Sequence, residues 1–341
     1  MSSVAKPLQT PSLPWKTRVS LALINTVTDA CRRRDGTINR RLINFLDARA
    51  NPTPQAIKGV KTADFSVDSA RGLWIRVYVP VPISSAEEAF PVVVFFHGGG
   101  FAFLSAASKG YDVVCRRFAR ELRAVVVSVE YRLAPDHRFP AQYEDGFDVL
   151  RWVEQHPTFE GFAPVADSGT VFLAGDSAGA NIAHHVTVRF CKNRGSFPSL
   201  RIIGVVSIQP FFGGEERTES ETRLRSAVLV NLERTDWLWK AFLPEGSDRN
   251  HPAAYLHGAE STAEIAGLEF PATVVVVGGF DPLQDRQRKY AEWLRANGKE
   301  TYLIEYENAV HAFYIFPELP ESDLLIGEFQ AFMKRQLSRR W

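Results

Sequence analysis

With 45% hydrophobic and 12% aromatic residues in a chain of 341, there is enough apolar mass to bury the core of one large α/β domain plus an accessory segment. The 40 basic and 39 acidic residues leave a formal net charge of +1, so no overall field recruits nucleic acid or an anionic membrane surface, and small neutral molecules remain as partners. Cys31, Cys115 and Cys191 are odd in number and far apart, fitting neither a disulfide framework nor a C-x-x-C motif, which favours a reducing compartment.

The opening stretch MSSVAKPLQTPSLPWKTR lacks the charged-then-apolar layout of a signal peptide, and no apolar run approaches the roughly 18 residues needed to span a bilayer. The expected location is the cytoplasm, with the nucleus left open. Residues 1–58 carry two amphipathic helical patterns, one around Trp15, Val19, Leu23 and Val27, the other around Ile38, Leu42, Phe45 and Leu46. Both stripes need an apolar surface to lie on, so the segment is a candidate lid. Arg32, Arg33, Arg34, Arg40 and Arg41 cluster between and within the two patterns and read as a solvated helix face.

Beyond the lid, β-branched and aromatic runs at 73–80, 92–96, 124–131, 170–175, 201–208, 273–279 and 301–306 alternate with helical patterns at 107–123, 140–155, 179–192, 284–297 and 321–338. This alternation marks a mostly parallel sheet with crossover helices on both faces, which gathers functional loops at the strands' carboxyl ends. Residues 210–258 interrupt it with Gly, Pro and aromatics, reading as a cap-like insertion. A decorated surface with no gating role is the plainer alternative for both outlying segments.

The run VVVFF empties through His97 into Gly98, Gly99 and Gly100. Three glycines at a strand end cost chain entropy, so either the chain turns sharply or its bare N–H groups reach something. Further on, Gly175-Asp176-Ser177-Ala178-Gly179 matches G-x-S-x-G between an expected strand and an expected helix. Ser177 is the candidate nucleophile, against the plainer reading of a strand-to-helix turn that happens to use Gly and Ser. A serine hydroxyl needs a histidine base, and that histidine needs a carboxylate to hold its tautomer. Of the histidines after Ser177 (His184, His185, His251, His257 and His311) only His311 lies beyond the last expected strand; His184 and His185 fall inside the helix after the elbow and read as packing residues. Asp281, directly after the strand in TVVVVGGFDPLQD, is the candidate carboxylate, with Asp285 as runner-up.

Attack by Ser177 on an ester carbonyl places negative charge on oxygen, and the backbone N–H groups of Gly99 and Gly100, joined by that of Ala178, can approach it where side chains would block. His97 reads as a brace for that loop. The phosphate-cradling patterns G-x-x-x-x-G-K-[ST] and G-x-G-x-x-G are not present. Tyr131, Arg132 and Asp136 of YRLAPDHRFP read as fixing their own loop, and Phe101, Tyr111, Phe212, Trp237 and Tyr314 as walls of an apolar substrate pocket.

HGGGF, YRLAPDHRFPA, GDSAGAN, DPLQD and VHAF together resemble the plant carboxylesterases of the hormone-sensitive-lipase family, over a stretch from about residue 55 to the C-terminus. The resemblance implies the α/β-hydrolase fold, a mostly parallel central sheet flanked by helices, with residues 1–58 as a helical lid and 59–341 as the catalytic domain. It implies a Ser177, Asp281, His311 triad acting on small to medium apolar or aromatic esters, with no cofactor and no metal. RRRDGTINRRLINFLD, GGEERTES and DWLWKAFLPEG further resemble the gibberellin receptors, which keep this fold and bind a hormone under the lid. The receptors have lost the triad histidine and carry serine at the last position of the glycine loop, whereas His311 and Gly100 are intact here. The receptor arginine that holds the hormone's carboxylate falls at or near Thr235, with Arg234 beside it, and PWKTRVSLALIN does not reproduce the receptors' partner-docking sequence. An esterase is therefore expected, with a ligand receptor as the alternative. An isoflavonoid-type dehydratase, whose relatives carry threonine at the nucleophile position, is a third reading.

Overall fold

A computed structural model describes residues 11–33, 35–81, 90–160, 162 and 166–339. Its centre is a sheet of eight strands: β1 (Val60–Asp68), β2 (Leu73–Pro80), β3 (Phe90–Phe96), β4 (Val125–Glu130), β5 (Ala166–Asp176), β6 (Ile202–Ile208), β7 (Thr273–Gly278) and β8 (Thr301–Tyr306). Their order across the sheet is β1-β2-β4-β3-β5-β6-β7-β8. β2 pairs antiparallel with β1 and β4, and all other neighbours are parallel. The inner strands VVVFF, IIGVVSI and TVVVVG are continuously apolar because helices cover both faces, whereas β1 alternates exposed and buried positions. That alternation, broken by Lys61, Asp64 and Asp68, hid β1 from the sequence reading, which began the sheet at residue 73.

The pleat divides β3 between two cores. Val92, Val94 and Phe96 face one side, where α4 (Ala141–Gln155) and α5 (Ala178–Lys192) contribute Phe147, Leu150 and Ile182. Val93 and Phe95 face the other, with Phe118 of α3 (Lys109–Leu122) and Phe329 of α10 (Pro320–Leu337). On the far half of the sheet, α9 (Gln284–Ala296) packs on β7 and β8. After β3 the chain winds to β4 on one side, and after β4 it crosses to β5 on the other. This reversal opens a crevice above the carboxyl ends of β3 and β5, and both the glycine loop and Ser177 begin there.

The insertion after β6 holds α6 (Glu219–Arg223) and α7 (Leu232–Phe242); α8 (Ala259–Ala266), which the sequence reading did not foresee, follows it. At the N-terminus, α1 (Trp15–Cys31) and α2 (Arg40–Leu46) lie over the crevice. The expected α1 stripe is half realised: Leu23 and Val27 reach the cavity beneath, and Trp15 and Val19 do not. Trp15, Val19 and Leu23 are 71%, 59% and 63% exposed, while Thr17 and Leu21 are buried. Thr17 donates to Glu318 at 2.6 Å. In α2, Phe45 is 85% exposed while Ile43 joins the core.

Candidate active site

Ser177 sits between β5 and α5 with φ 53° and ψ −119°, a conformation that costs a non-glycine residue energy and is held only by its surroundings. Its N–H donates to the Ile208 carbonyl at 2.9 Å, and its carbonyl accepts from Phe211 N at 3.0 Å. The flanking glycines are required by contact. A Cβ on Gly179 would overlap the Phe96 carbonyl and lie 2.7 Å from the His97 carbonyl oxygen; one on Gly175 would overlap the backbone of Gly179.

His311 lies in the turn after β8, and its Nδ1 is 2.6 Å from Asp281 Oδ2. The Asp281 carboxylate is fully buried and collects further donors: Gln287 Nε2 at 2.8 Å and Gln209 Nε2 at 3.1 Å on Oδ2, and Leu283 N at 2.9 Å on Oδ1. Gln209 also accepts from Ala312 N at 2.7 Å and donates to the Val310 carbonyl at 3.1 Å, tying the acid and the histidine turn together. Burial pushes the His311 imidazole down, but the carboxylates of Asp281 and Asp176 outweigh it, and the group is held above its ordinary value. Gln209 and Gln287 escaped the sequence reading because amides at a strand end and on a helix carry no motif. Asp285, the runner-up, is engaged elsewhere, accepting from Ser220 N at 2.8 Å.

The glycine loop is braced from below. Gly98 N donates to Asp176 Oδ1 and approaches the Tyr111 hydroxyl, both at 2.8 Å, so this N–H is committed. Among the described residues no backbone acceptor takes the N–H of Gly99 or Gly100, and Ala178 opens α5, where a helix leaves its N–H unpaired. Gly99 at φ 99° and Gly100 at φ 62° use backbone regions open to glycine. A Cβ on Gly100 would strike the Leu238 side chain, 2.6 Å from Cδ2. Tyr131 donates to the His97 carbonyl at 2.6 Å and stacks on its ring at 4.3 Å; burial depresses that imidazole to about 4, leaving it neutral. The Asp176 carboxyl is driven up to about 6 by burial, against the Tyr111 hydrogen bond and the pull of His311.

Ser177, His311, Asp176, Gly99 and Gly100 line a single cavity of about 340 Å³, roofed by Leu23, Ile24, Val27 and Thr28 of α1 and by Ile43 and Leu46 of α2. Of the five residues expected as its walls, Tyr111 is in place. Phe101 instead stacks on Phe242 at 3.8 Å in the core, and Phe212 packs on Tyr290 at 4.6 Å behind the sheet. Tyr314 is buried against Phe118, and Trp237 lies beside Phe103 and under the Arg32 guanidinium. Their aromatic character fitted core and pocket equally well. The actual walls are mainly aliphatic: Leu104, Leu229, Val230, Leu238 and Ile315. His184 and His185 are packing residues, bonded to Tyr290 at 3.0 Å and stacked on Tyr143 at 4.6 Å respectively.

The basic cluster is not simply a solvated face. Arg40 spans from α2 to the core, and Arg32 pairs with Asp29 at 2.7 Å; Arg34 lies outside the described residues. Thr235 and Arg234 both reach the cavity, but the buried Arg234 guanidinium is spent on the lid, donating to Asn25 and Asp29 at 2.8 Å and to the Leu229 carbonyl. Among the described residues no cluster of three or more His, Cys, Asp or Glu side chains is placed to hold a metal, and no helix is long and apolar enough to cross a membrane.

Residues 93–315 match the family model described as the alpha/beta hydrolase fold. The chain is 40% identical over 335 residues to gibberellin receptor GID1C of Arabidopsis thaliana, covering 95% of each chain. It is 36% identical to carboxylesterase 20 of the same plant, over 81% of this chain and 86% of that one. Among solved structures, a hyperthermophilic esterase from the archaeon Pyrobaculum calidifontis superposes with a TM-score of 0.72 at 26% identity, covering 97% of this chain and 100% of its own.

Proposed function

This chain belongs to the α/β-hydrolase family, in its hormone-sensitive-lipase-like branch, and from that premise we propose that it is a serine carboxylesterase acting on small to medium apolar esters. The observation that carries the reading is the 2.6 Å contact of His311 Nδ1 with buried Asp281, on an imidazole that shares one cavity wall with Ser177 and the glycine loop.

Asp281 holds the proton on Nδ1, which leaves Nε2 free to take the Ser177 proton as Oγ attacks the ester carbonyl. The oxygen that gains charge is met by the N–H groups of Gly99, Gly100 and Ala178. His311, now cationic beside Asp281 and Asp176, returns the proton to the departing alcohol; water then repeats the sequence on the acyl-serine. A cavity of about 340 Å³ with aliphatic walls takes a ligand at the small end of the range for such sites and selects apolar over charged groups. Hydrolysis of p-nitrophenyl butyrate with rapid labelling of Ser177 by a fluorophosphonate tests the proposal. A well-folded protein inert to both sinks it, as does a Ser177→Ala variant that keeps wild-type turnover.

A second reading rests on a different observation. Trp15, Val19 and Phe45 expose apolar surface on the lid, none of them among the residues that line the cavity. Exposed apolar surface of this kind marks an interaction site rather than a catalytic one, which fits a ligand receptor, as the gibberellin receptors are named. Ligand binding under the lid without ester turnover would select this reading.

A further inference from the structure

Arg40 is the first residue of α2, yet its guanidinium leaves the lid altogether. Nη1 donates to the Ala102 carbonyl, Nη2 to the Ala134 carbonyl and Nε to Asp136 Oδ2, each at 2.6 Å. Ala102 belongs to the glycine loop: its N–H and that of Phe103 close back onto the Gly99 carbonyl at 3.1 and 3.0 Å. Ala134 lies in the loop after β4, and its N–H donates to the Phe101 carbonyl at 2.9 Å. One planar fork therefore clamps two loops that are already stitched together at Phe101.

The loop needs an outside hold. Gly99, Gly100, Phe101 and Leu104 all have positive φ, at 99°, 62°, 63° and 71°, and two of the four are residues for which this region carries a steric cost. Asp176 and Tyr111 fix the loop's entry at Gly98, and Glu130 accepts from Ser105 Oγ and Ala106 N at 2.8 and 2.7 Å beyond its exit; between these anchors the Ala134–Phe101 bond and the Arg40 fork hold it.

We propose that Arg40 is a positioning residue that couples the lid to the oxyanion hole: with α2 in place its fork sets the Ala102 carbonyl, and through the Gly99 turn the direction of the Gly99 and Gly100 N–H groups. The catalytic part of this inference rests on the esterase reading; the mechanical part does not. Arg40 contacts neither Ser177 nor His311, so its removal leaves the nucleophile and base unaltered and weakens only the stabilisation of charge. Lysine does not replace it, because a single ammonium lacks the planar fork that meets two carbonyls and a carboxylate at once.

The test uses the full chain with Arg40→Met and Arg40→Lys. Losing one oxyanion donor outright costs about 10²–10³ in kcat, so a donor misdirected but present is expected to cost about 10- to 100-fold, with KM for p-nitrophenyl butyrate within about threefold. Affinity for a trifluoromethyl ketone, whose adduct with Ser177 carries the oxyanion, falls by the same factor. In parallel, hydrogen exchange of the peptide covering residues 97–104 speeds up while that covering 170–185 does not. Should Arg40→Met fail to fold, Arg40→Lys carries the same expectations. Exchange of 97–104 at the wild-type rate, or a Lys variant with wild-type kcat, overturns the proposal. If the wild-type protein hydrolyses no ester, the esterase reading fails and the exchange result alone decides the role of Arg40.

Discussion

Asp281→Asn separates charge from shape at the acid. Four donors converge on this carboxylate: His311, Gln209 and Gln287 on Oδ2, and Leu283 N on Oδ1. An asparagine must turn its NH₂ toward one side, and the less costly choice keeps its oxygen toward the three donors and sets the NH₂ against Leu283 N–H. One buried donor then loses its acceptor, worth about 1–3 kcal/mol, or a fall in Tm of about 2–6 °C at the slope of larger domains. The His311 tautomer survives in this arrangement but the imidazolium loses its counter-charge, so kcat falls by more than tenfold and by less than the about 10⁴ that follows when the amide also traps the wrong tautomer. The pH profile follows with a definite sign. In the wild type, Asp281 and Asp176 together overcome burial and hold His311 above its ordinary value. With Asp281 neutralised, burial, the largest influence, faces Asp176 alone, and the acid limb of kcat/KM moves to lower pH. The assay is p-nitrophenyl butyrate hydrolysis from pH 4.5 to 9 with differential scanning fluorimetry alongside. A variant within tenfold of wild type, or an acid limb that does not move down, refutes the assignment of Asp281.

Asp176→Asn addresses the buried carboxyl beside the nucleophile, whose folded pKa is raised from 3.8 to about 6. A raised carboxyl disfavours folding as pH rises from the unfolded toward the folded value, so the asparagine protein gains stability above pH 6, by up to about 3 kcal/mol, and gains nothing below pH 4. Denaturant melts at pH 4 and pH 8 check this, and equal gains at both refute it. Gly179→Ala is expected to give insoluble or strongly destabilised protein, losing about 3 kcal/mol or more, because its Cβ would overlap the Phe96 carbonyl. Gly110→Ala on α3, where a Cβ meets nothing within 4 Å, is the matched control and should gain about 0.5–1 kcal/mol in thermal melts.

The expected strands and crossover helices reappear within a few residues, as do the positions of Ser177, Asp281 and His311 at strand ends. β1 and α8 were missed for opposite reasons. β1 is an edge strand whose charged, solvent-facing positions dilute its apolar pattern, and α8 is a short helix, AESTAEIA, with little apolar content to mark a face. The pocket walls are not legible in the sequence because aromatic residues near the motifs suit lining and core alike: Phe101, Phe212 and Tyr314 serve the core, and aliphatic residues from segments far apart in the chain close the cavity.

Some features of this chain are local and so were written in consecutive residues. An elbow needs Gly175 and Gly179 two positions either side of Ser177, a glycine loop needs its glycines together, and a strand buried on both faces needs an unbroken apolar run. Other features depend on what arrives from elsewhere. A helical stripe says which residues share a face and not what that face meets: α1 offers both a face begun by Trp15 and Val19 and the face Thr17-Leu21-Ile24-Thr28, and the second, with its polar ends, goes inward because Glu318 and the cavity lie beneath it. Arg40, Gln209 and Gln287 have ordinary sequence surroundings, and their importance comes from hydrogen-bond partners 62 to 103 positions away for Arg40 and Gln209, and six positions before Gln287 around a turn. Only the closed fold brings those atoms within hydrogen-bond reach, and only there does the desolvation that makes such bonds matter come into being.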